Sequence, residues 1–298
     1  SADGLLPARL EGGSLTAIDY RLPTPSAQIK SAVILAALGA AGETVIREPA
    51  PSRDHTERML PAFGGHIVIE EDGEGRVLRV RGGQRLRGAA IEVPGDPSSA
   101  AFLVAAALIV EGSDVLIRNV LLNPRRAGFF EVAREMGGDI ASENERTIGG
   151  EPVADLRVRA SRLKGVAVPA SRAASMIDEY PALAALAAFA DGDTYMVGVE
   201  ELRVKESDRI AAMEAGLKAC GVDVESGGDW FRVFGRAGEV PGGARIATQD
   251  DHRIAMSFLT LGFAASAPVE IDDASMIATS FPTYEKIVAD LGATIEAA

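Results

Sequence analysis

Val132-Ala133-Arg134-Glu135-Met136-Gly137-Gly138-Asp139-Ile140 reads as the end of a helix, a glycine stop and the start of a strand. Phe129, Val132, Ala133 and Met136 fall at i, i+3, i+4 and i+7, which puts them on one apolar helical face. A glycine after such a face supplies the left-handed backbone that ends a helix. The cadence occurs three more times: Met59-Leu60-Pro61-Ala62-Phe63-Gly64-Gly65-His66-Ile67, Leu217-Lys218-Ala219-Cys220-Gly221-Val222-Asp223-Val224 and Val288-Ala289-Asp290-Leu291-Gly292-Ala293-Thr294-Ile295. The four copies recur about every 70–85 residues, the mark of a repeat architecture.

A second helix precedes each copy. The four cover Ser26 to Leu38, Ser98 to Val110, Asp178 to Phe189 and Asp251 to Ala264. All are rich in Ala and apolar on nearly every side, as expected of buried helices. A strand is expected after each: Thr44 to Arg47, Asp114 to Arg118, Thr194 to Gly198 and Val269 to Asp272, with further strands such as Arg76 to Val80 and Leu156 to Val158. The unit is inner helix, strand, outer helix, strand, so the fold class is α/β with four repeats.

Composition narrows the function. The 298 residues are 47% hydrophobic, so disorder is not the default reading, and the length leaves room for two globular parts. A net charge of -13 argues against a nucleic-acid binder, so any anionic ligand is held by a few local cations. The single cysteine, Cys220, excludes an internal disulfide and fits a reducing compartment. Ser1-Ala2-Asp3-Gly4 shows no signal peptide, and the apolar run Ala100 to Val110 is too short to span a bilayer. A cytoplasmic monomer with no membrane partner is expected. The first residue is Ser rather than Met, which fits a portion of a longer chain.

Polar residues cluster where helices begin, and helix N-termini attract anions. Ser98, Ser99 and Asp54, the last with Glu57 as a capping box, read as ordinary N-caps. Arg253, within Asp251-His252-Arg253, breaks a local rule, because a cation in a first helical turn opposes the helix dipole. Either it binds an anion or it pairs internally with Asp250 or Asp251. Lys205-Glu206-Ser207-Asp208-Arg209 places like charges at i and i+4, unfavourable unless an anion sits between them. Asp178-Glu179-Tyr180-Pro181 sets two carboxylates before a buried helix, as cap or general base. His55, His66 and His252 are too scattered for a zinc site, and no nucleotide-binding glycine loop or nucleophile elbow occurs.

Six motifs occur in order: Pro25-Ser26-Ala27-Gln28-Ile29-Lys30-Ser31-Ala32, Ser52-Arg53-Asp54-His55-Thr56-Glu57, Gly95-Asp96-Pro97-Ser98-Ser99-Ala100, Asp178-Glu179-Tyr180-Pro181, Lys205-Glu206-Ser207-Asp208-Arg209 and Asp251-His252-Arg253-Ile254-Ala255-Met256. Together the chain closely resembles the 5-enolpyruvylshikimate-3-phosphate synthase family, the 3-phosphoshikimate 1-carboxyvinyltransferases of the shikimate pathway. Ser26-Ala27-Gln28 and Ile277-Ala278-Thr279-Ser280-Phe281-Pro282 look like the bacterial subgroup known for glyphosate-tolerant members.

The resemblance implies repeated βαβαββ units of the enolpyruvyltransferase fold. Residues 1–95 would be the last unit of an incomplete domain, and residues 96–298 a complete domain of three units, hinged at Gly95-Asp96. It implies transfer of the carboxyvinyl group of phosphoenolpyruvate to the 5-hydroxyl of shikimate 3-phosphate, with domain closure and no metal or organic cofactor. Ser26, Ala27, Gln28, Arg53, Asp178 and Lys205 would bind shikimate 3-phosphate, and Arg209 and Arg253 phosphoenolpyruvate. Asp178 would accept the hydroxyl proton and Glu206 would act at the methylene carbon. The family's N-terminal Lys-Ser-x-Ser-x-Arg motif and Gly-rich loop do not occur in this sequence, so the chain alone is expected to be inactive. UDP-N-acetylglucosamine enolpyruvyltransferase, with the same fold and donor, is the neighbouring alternative; a non-catalytic anion-binding protein is another.

Overall fold

The computed structural model describes residues 9–296, so Ser1 to Gly4 lie outside the described residues. The chain divides into two compact units, one running to Ile91 and the other starting at Glu92.

The first unit holds β1 (Asp19–Arg21), α1 (Ala27–Leu38), β2 (Glu43–Glu48), α2 (His55–Met59), β3 (Val68–Asp72) and β4 (Gly75–Arg81). β1 and β2 are parallel, joined by α1, whereas β4 pairs antiparallel with both β2 and β3. The sheet order is β1-β2-β4-β3, so the unit has the order βαβαββ. Its core is Leu22, Ile34, Ala37, Ile46, Leu60, Leu78 and Val80. The inner-helix expectation fails in this unit in one respect. α1 buries only Lys30, Ile34 and Ala37, and Leu35 is 57% exposed. A single sheet covers one face of a helix; burying all faces needs neighbouring helices.

The second unit begins with α3 (Pro97–Ile109), β5 (Asp114–Leu121), α4 (Gly128–Glu135), β6 (Asp139–Ile148) and β7 (Glu151–Arg159). Gly95 takes the place of the first strand through a parallel bridge to Val120. Next come β8 (Ala167–Val168), α5 (Ala173–Met176), α6 (Tyr180–Ala187), β9 (Asp193–Val197), α7 (Arg209–Ala219), β10 (Val224–Ser226) and β11 (Trp230–Phe234). These four strands form the order β10-β11-β9-β8, repeating the first unit's topology. Last come β12 (Arg245–Ile246), α8 (His252–Gly262), β13 (Glu270–Ile271) and α9 (Tyr284–Asp290). The fourth repeat is thus βαβα. The strand expected at Thr294 to Ile295 is not formed, and β13 pairs only with β12 among the described residues.

The three inner helices α3, α6 and α8 pack against one another pairwise. Every residue of α6 is buried, and α3 buries all but Ser99, Ala106 and Ile109. Small residues make that close approach possible. The four glycine stops behave as read: Gly64, Gly137, Gly221 and Gly292 have φ of 76, 95, 79 and 103°.

A cationic cluster around a carboxylate at the helix starts

Four helix starts in the second unit bring charge together. Asp208 caps α7 by accepting from Ala211 N at 3.0 Å, which makes Arg209 the first helical residue. Asp251 caps α8 by accepting from Arg253 N at 2.9 Å. Asp178 and Glu179 end a 3-10 turn, Ile177–Glu179, that leads into α6 with Pro181 in its first turn. α3 starts at Pro97, where Asp96, not Ser98, is the cap, accepting from Ser99 N at 2.9 Å. Ser98 has other work: its Oγ donates to Glu179 and accepts from Arg126.

Arg209 is the centre of the network. Its side chain is 1% exposed, and Nε donates to Asp251 Oδ2 at 2.8 Å while Nη2 reaches Asp251 Oδ1 at 3.3 Å. Nη2 also donates to Glu206 Oε2 at 2.5 Å, and Nη1 to Asp178 Oδ1 at 3.4 Å. Lys205 Nζ lies 3.6 Å from the same Asp178 oxygen and pairs with Glu201. The anion required between Lys205 and Arg209 is therefore the protein's own Asp178. Burial pushes the Asp251 carboxyl up, but the hydrogen bonds and charge of Arg209 outweigh it and hold it below the usual range. His252 is pushed down by burial and by the neighbouring Arg253.

Arg253 does not form the internal pair considered from its sequence position. Asp251 is occupied by Arg209 and by the Arg253 backbone N–H. The Arg253 guanidinium instead donates from Nη1 to the Asp178 carbonyl oxygen at 3.2 Å. Asp178, Lys205, Glu206, Arg209 and Arg253 are thus brought together, with Asp178 at the meeting point of three cations.

The first unit carries the remaining predicted residues. Ser26 caps α1, accepting from Ile29 N at 3.4 Å, so Ala27 and Gln28 occupy its first turn. Arg53 lies half-buried in the loop between β2 and α2. A buried triad ties these segments: Lys30 Nζ lies 3.0 Å from Glu48 and 2.8 Å from Glu57, and Glu48 Oε1 also accepts from Ser52 N at 2.8 Å. Ser31 and Thr56 hydroxyls share a 2.6 Å hydrogen bond. The capping box read at Asp54 and Glu57 is not formed. Asp54 makes no cap bond and pairs with Arg58, while Glu57 turns inward to Lys30. A lysine inside an apolar helical run was the available signal for this triad, since a buried ammonium needs partners. No such signal marked Asp251 as the partner of Arg209.

Among the described residues no group of three or more His, Cys, Asp or Glu could hold a metal, and no helix is long and apolar enough to cross a membrane. Repeated α/β units built on the βαβαββ pattern, with cations gathered on a carboxylate where their helices begin, define an α/β repeat protein.

Comparison with known proteins carries this further. A family model described as EPSP synthase (3-phosphoshikimate 1-carboxyvinyltransferase) matches residues 1–288. A 3-phosphoshikimate 1-carboxyvinyltransferase of Parvibaculum lavamentivorans is 58% identical over 98% of this chain and 65% of its own length. One from Roseobacter denitrificans is also 58% identical, over 98% of this chain and 66% of its own. Among solved structures, an EPSP synthase of Acinetobacter baumannii superposes with a TM-score of 0.88 at 45% identity, covering 95% of this chain and 64% of that one. The enolpyruvyl transferase NikO of Streptomyces tendae, 19% identical with a TM-score of 0.71 over 96% of this chain and 66% of its own, shares the fold. The chain belongs to the EPSP synthase family. It spans about two thirds of the length of the relatives it matches.

Proposed function

We propose that this chain carries the part of a cytoplasmic 3-phosphoshikimate 1-carboxyvinyltransferase that handles proton transfer and half of the anion binding. The observation that supports this best is Asp178, whose carboxylate is met by Lys205 and Arg209 and whose carbonyl by Arg253. The substrates, shikimate 3-phosphate and phosphoenolpyruvate, bring two phosphates and two carboxylates, and a cation cluster in an acidic protein answers that need.

Arg209 and Arg253 take the phosphoenolpyruvate anion, since a guanidinium fork matches carboxylate and phosphate geometry. Lys205 takes shikimate 3-phosphate; for Ser26, Ala27, Gln28 and Arg53 a role toward the same substrate is proposed from the family resemblance alone. As the ligands draw Lys205 and Arg209 away, an Asp178 oxygen becomes available to accept the 5-hydroxyl proton. That hydroxyl oxygen then bonds to the central carbon of phosphoenolpyruvate, and Glu206 delivers a proton to the methylene carbon. The tetrahedral intermediate loses phosphate, and a methyl proton returns to a carboxylate as the double bond reforms. The Glu206 side chain is half exposed, so it can draw that proton from solvent. The residue assignments, a monomeric state and the absence of a required metal or cofactor belong to this proposal.

The test has two parts. Shikimate 3-phosphate should raise the thermal midpoint of the chain, and a UDP-sugar should not. The family's other phosphoenolpyruvate cations lie by resemblance in the third of the relatives that this chain does not span, so phosphate release by the chain alone should be near background. Binding of the UDP-sugar in preference would shift the reading to the neighbouring transferase. Near-normal turnover would show that the chain holds a complete anion site and would overturn its assignment as half of one.

A further inference from the structure

Glu179 stands next to the general base and has no role in the reaction just described. It is 1% exposed. One oxygen, Oε1, accepts from the Ser98 hydroxyl, while Oε2 is buried without a partner among the described residues. Arg126, from the loop before α4, donates from Nη2 to Ser98 Oγ at 2.8 Å and to Asp96 Oδ1 at 3.1 Å, and its Nε is buried unpaired. On the other side, Arg253 Nη1 lies 4.0 Å from Glu179 Oε1. Burial dominates and holds the Glu179 carboxyl above the usual carboxylate range; Arg126, Ser98 and Arg253 pull against the rise, and Asp178 adds to it.

Arg253 needs a counter-charge, because it opens α8 at the positive end of the helix dipole and is 13% exposed. Asp251 cannot serve, being taken up by Arg209. Glu179 is the buried carboxylate in range, yet it is held back from a direct hydrogen bond by Ser98 and Arg126. The two arginines therefore differ in kind. Arg209 is met by three carboxylates, so an anion reaches it only by displacing one of them. Arg253 is charge-compensated at a distance, with its one side-chain hydrogen bond among the described residues going to a carbonyl. A cation that is oriented but not consumed is what an incoming anion requires.

We propose that Glu179, restrained by Ser98 and Arg126, is the positioning residue that keeps the Arg253 guanidinium oriented and open to an incoming carboxylate or phosphate. This rests on the reading of Arg253 as a phosphoenolpyruvate ligand.

The experiment uses the chain with Glu179→Gln, which keeps shape and removes charge, and with Arg126→Gln, which removes the restraint on Glu179. Rotation of the Arg253 side-chain Cζ–Nε bond is followed by 15N NMR, and phosphoenolpyruvate and shikimate 3-phosphate affinities are measured by calorimetry. In Glu179→Gln the rotation accelerates, phosphoenolpyruvate binding weakens on the order of tenfold, and shikimate 3-phosphate binding changes by less than about twofold. In Arg126→Gln the rotation slows, because Glu179 closes onto Arg253, and phosphoenolpyruvate again binds more weakly. Loosening of Arg253 in both variants with a fall in thermal midpoint would show a merely structural role; an unchanged Arg253 in both would also overturn the proposal. If the unsubstituted chain, which lacks the family's other phosphoenolpyruvate cations, binds none of it, the opposite responses of the Arg253 side chain in the two variants decide the role of Glu179 by themselves.

Discussion

A guanidinium with 1% of its side chain exposed, such as Arg209, survives in a protein only when carboxylates surround it. Asp251 supplies both oxygens and is itself 0% exposed, so each residue makes the other tolerable. Replacing Asp251 by Ala strands a buried charge and removes the cap of α8. We expect a loss of about 3–5 kcal/mol in urea unfolding at neutral pH. The pH dependence has a definite sign. The folded carboxyl of Asp251 lies below its unfolded value of about 3.9, so its contribution is complete above that pH and lost as pH falls through the folded value. The stability gap between the native and Asp251→Ala chains should stay level from about pH 7 to pH 5 and narrow below about pH 4. A gap that widens in acid would contradict the assignment.

At the scale of elements, the site depends on helices being close. Gly216 in α7 faces Phe258 in α8, and a Cβ at Gly216 would stand 2.1 Å from the Phe258 ring. Arg209 and Arg253 lie in the first turns of those same two helices. Gly216→Ala would gain about 1 kcal/mol of helix propensity, against an overpacking cost of about 1–3 kcal/mol. The clash is with a ring wedged between helices, so the cost wins. Expected outcomes are a lower thermal midpoint and weaker phosphoenolpyruvate binding, although the substitution lies two turns from Arg209. A stabilised variant with unchanged affinity would show that α7 and α8 tolerate separation.

For the whole molecule, burial is unevenly distributed. The second unit has one continuous core through α3, α6 and α8, whereas the first relies on a cluster of seven buried apolar residues and leaves one face of α1 exposed. Resistance to local opening follows buried apolar area. Amides of β2 and β4 should therefore exchange with deuterium well before those of α6 and α8, read by native-state exchange and mass spectrometry. Equal protection in both units would mean that they open together.

What the sequence determined by itself is local and periodic. Glycine at a helix end and apolar residues at i, i+3, i+4 and i+7 are short-range instructions, so the repeat, the α/β class and the helix stops at Gly64, Gly137, Gly221 and Gly292 were readable. The cations at Lys205, Arg209 and Arg253 could be singled out because each broke a local electrostatic rule. Their partners could not, because they are far along the chain. Asp251 meets Arg209 across 42 residues, and Glu179 meets Ser98 across 81. Ser98 looked like a cap and is a hydrogen-bond relay; Glu57 looked like half of a capping box and is a buried partner of Lys30. Only the packing of repeat on repeat decided which carboxylate neutralises which cation, since burial in a shared low-dielectric region sets that choice and one-dimensional spacing does not encode it.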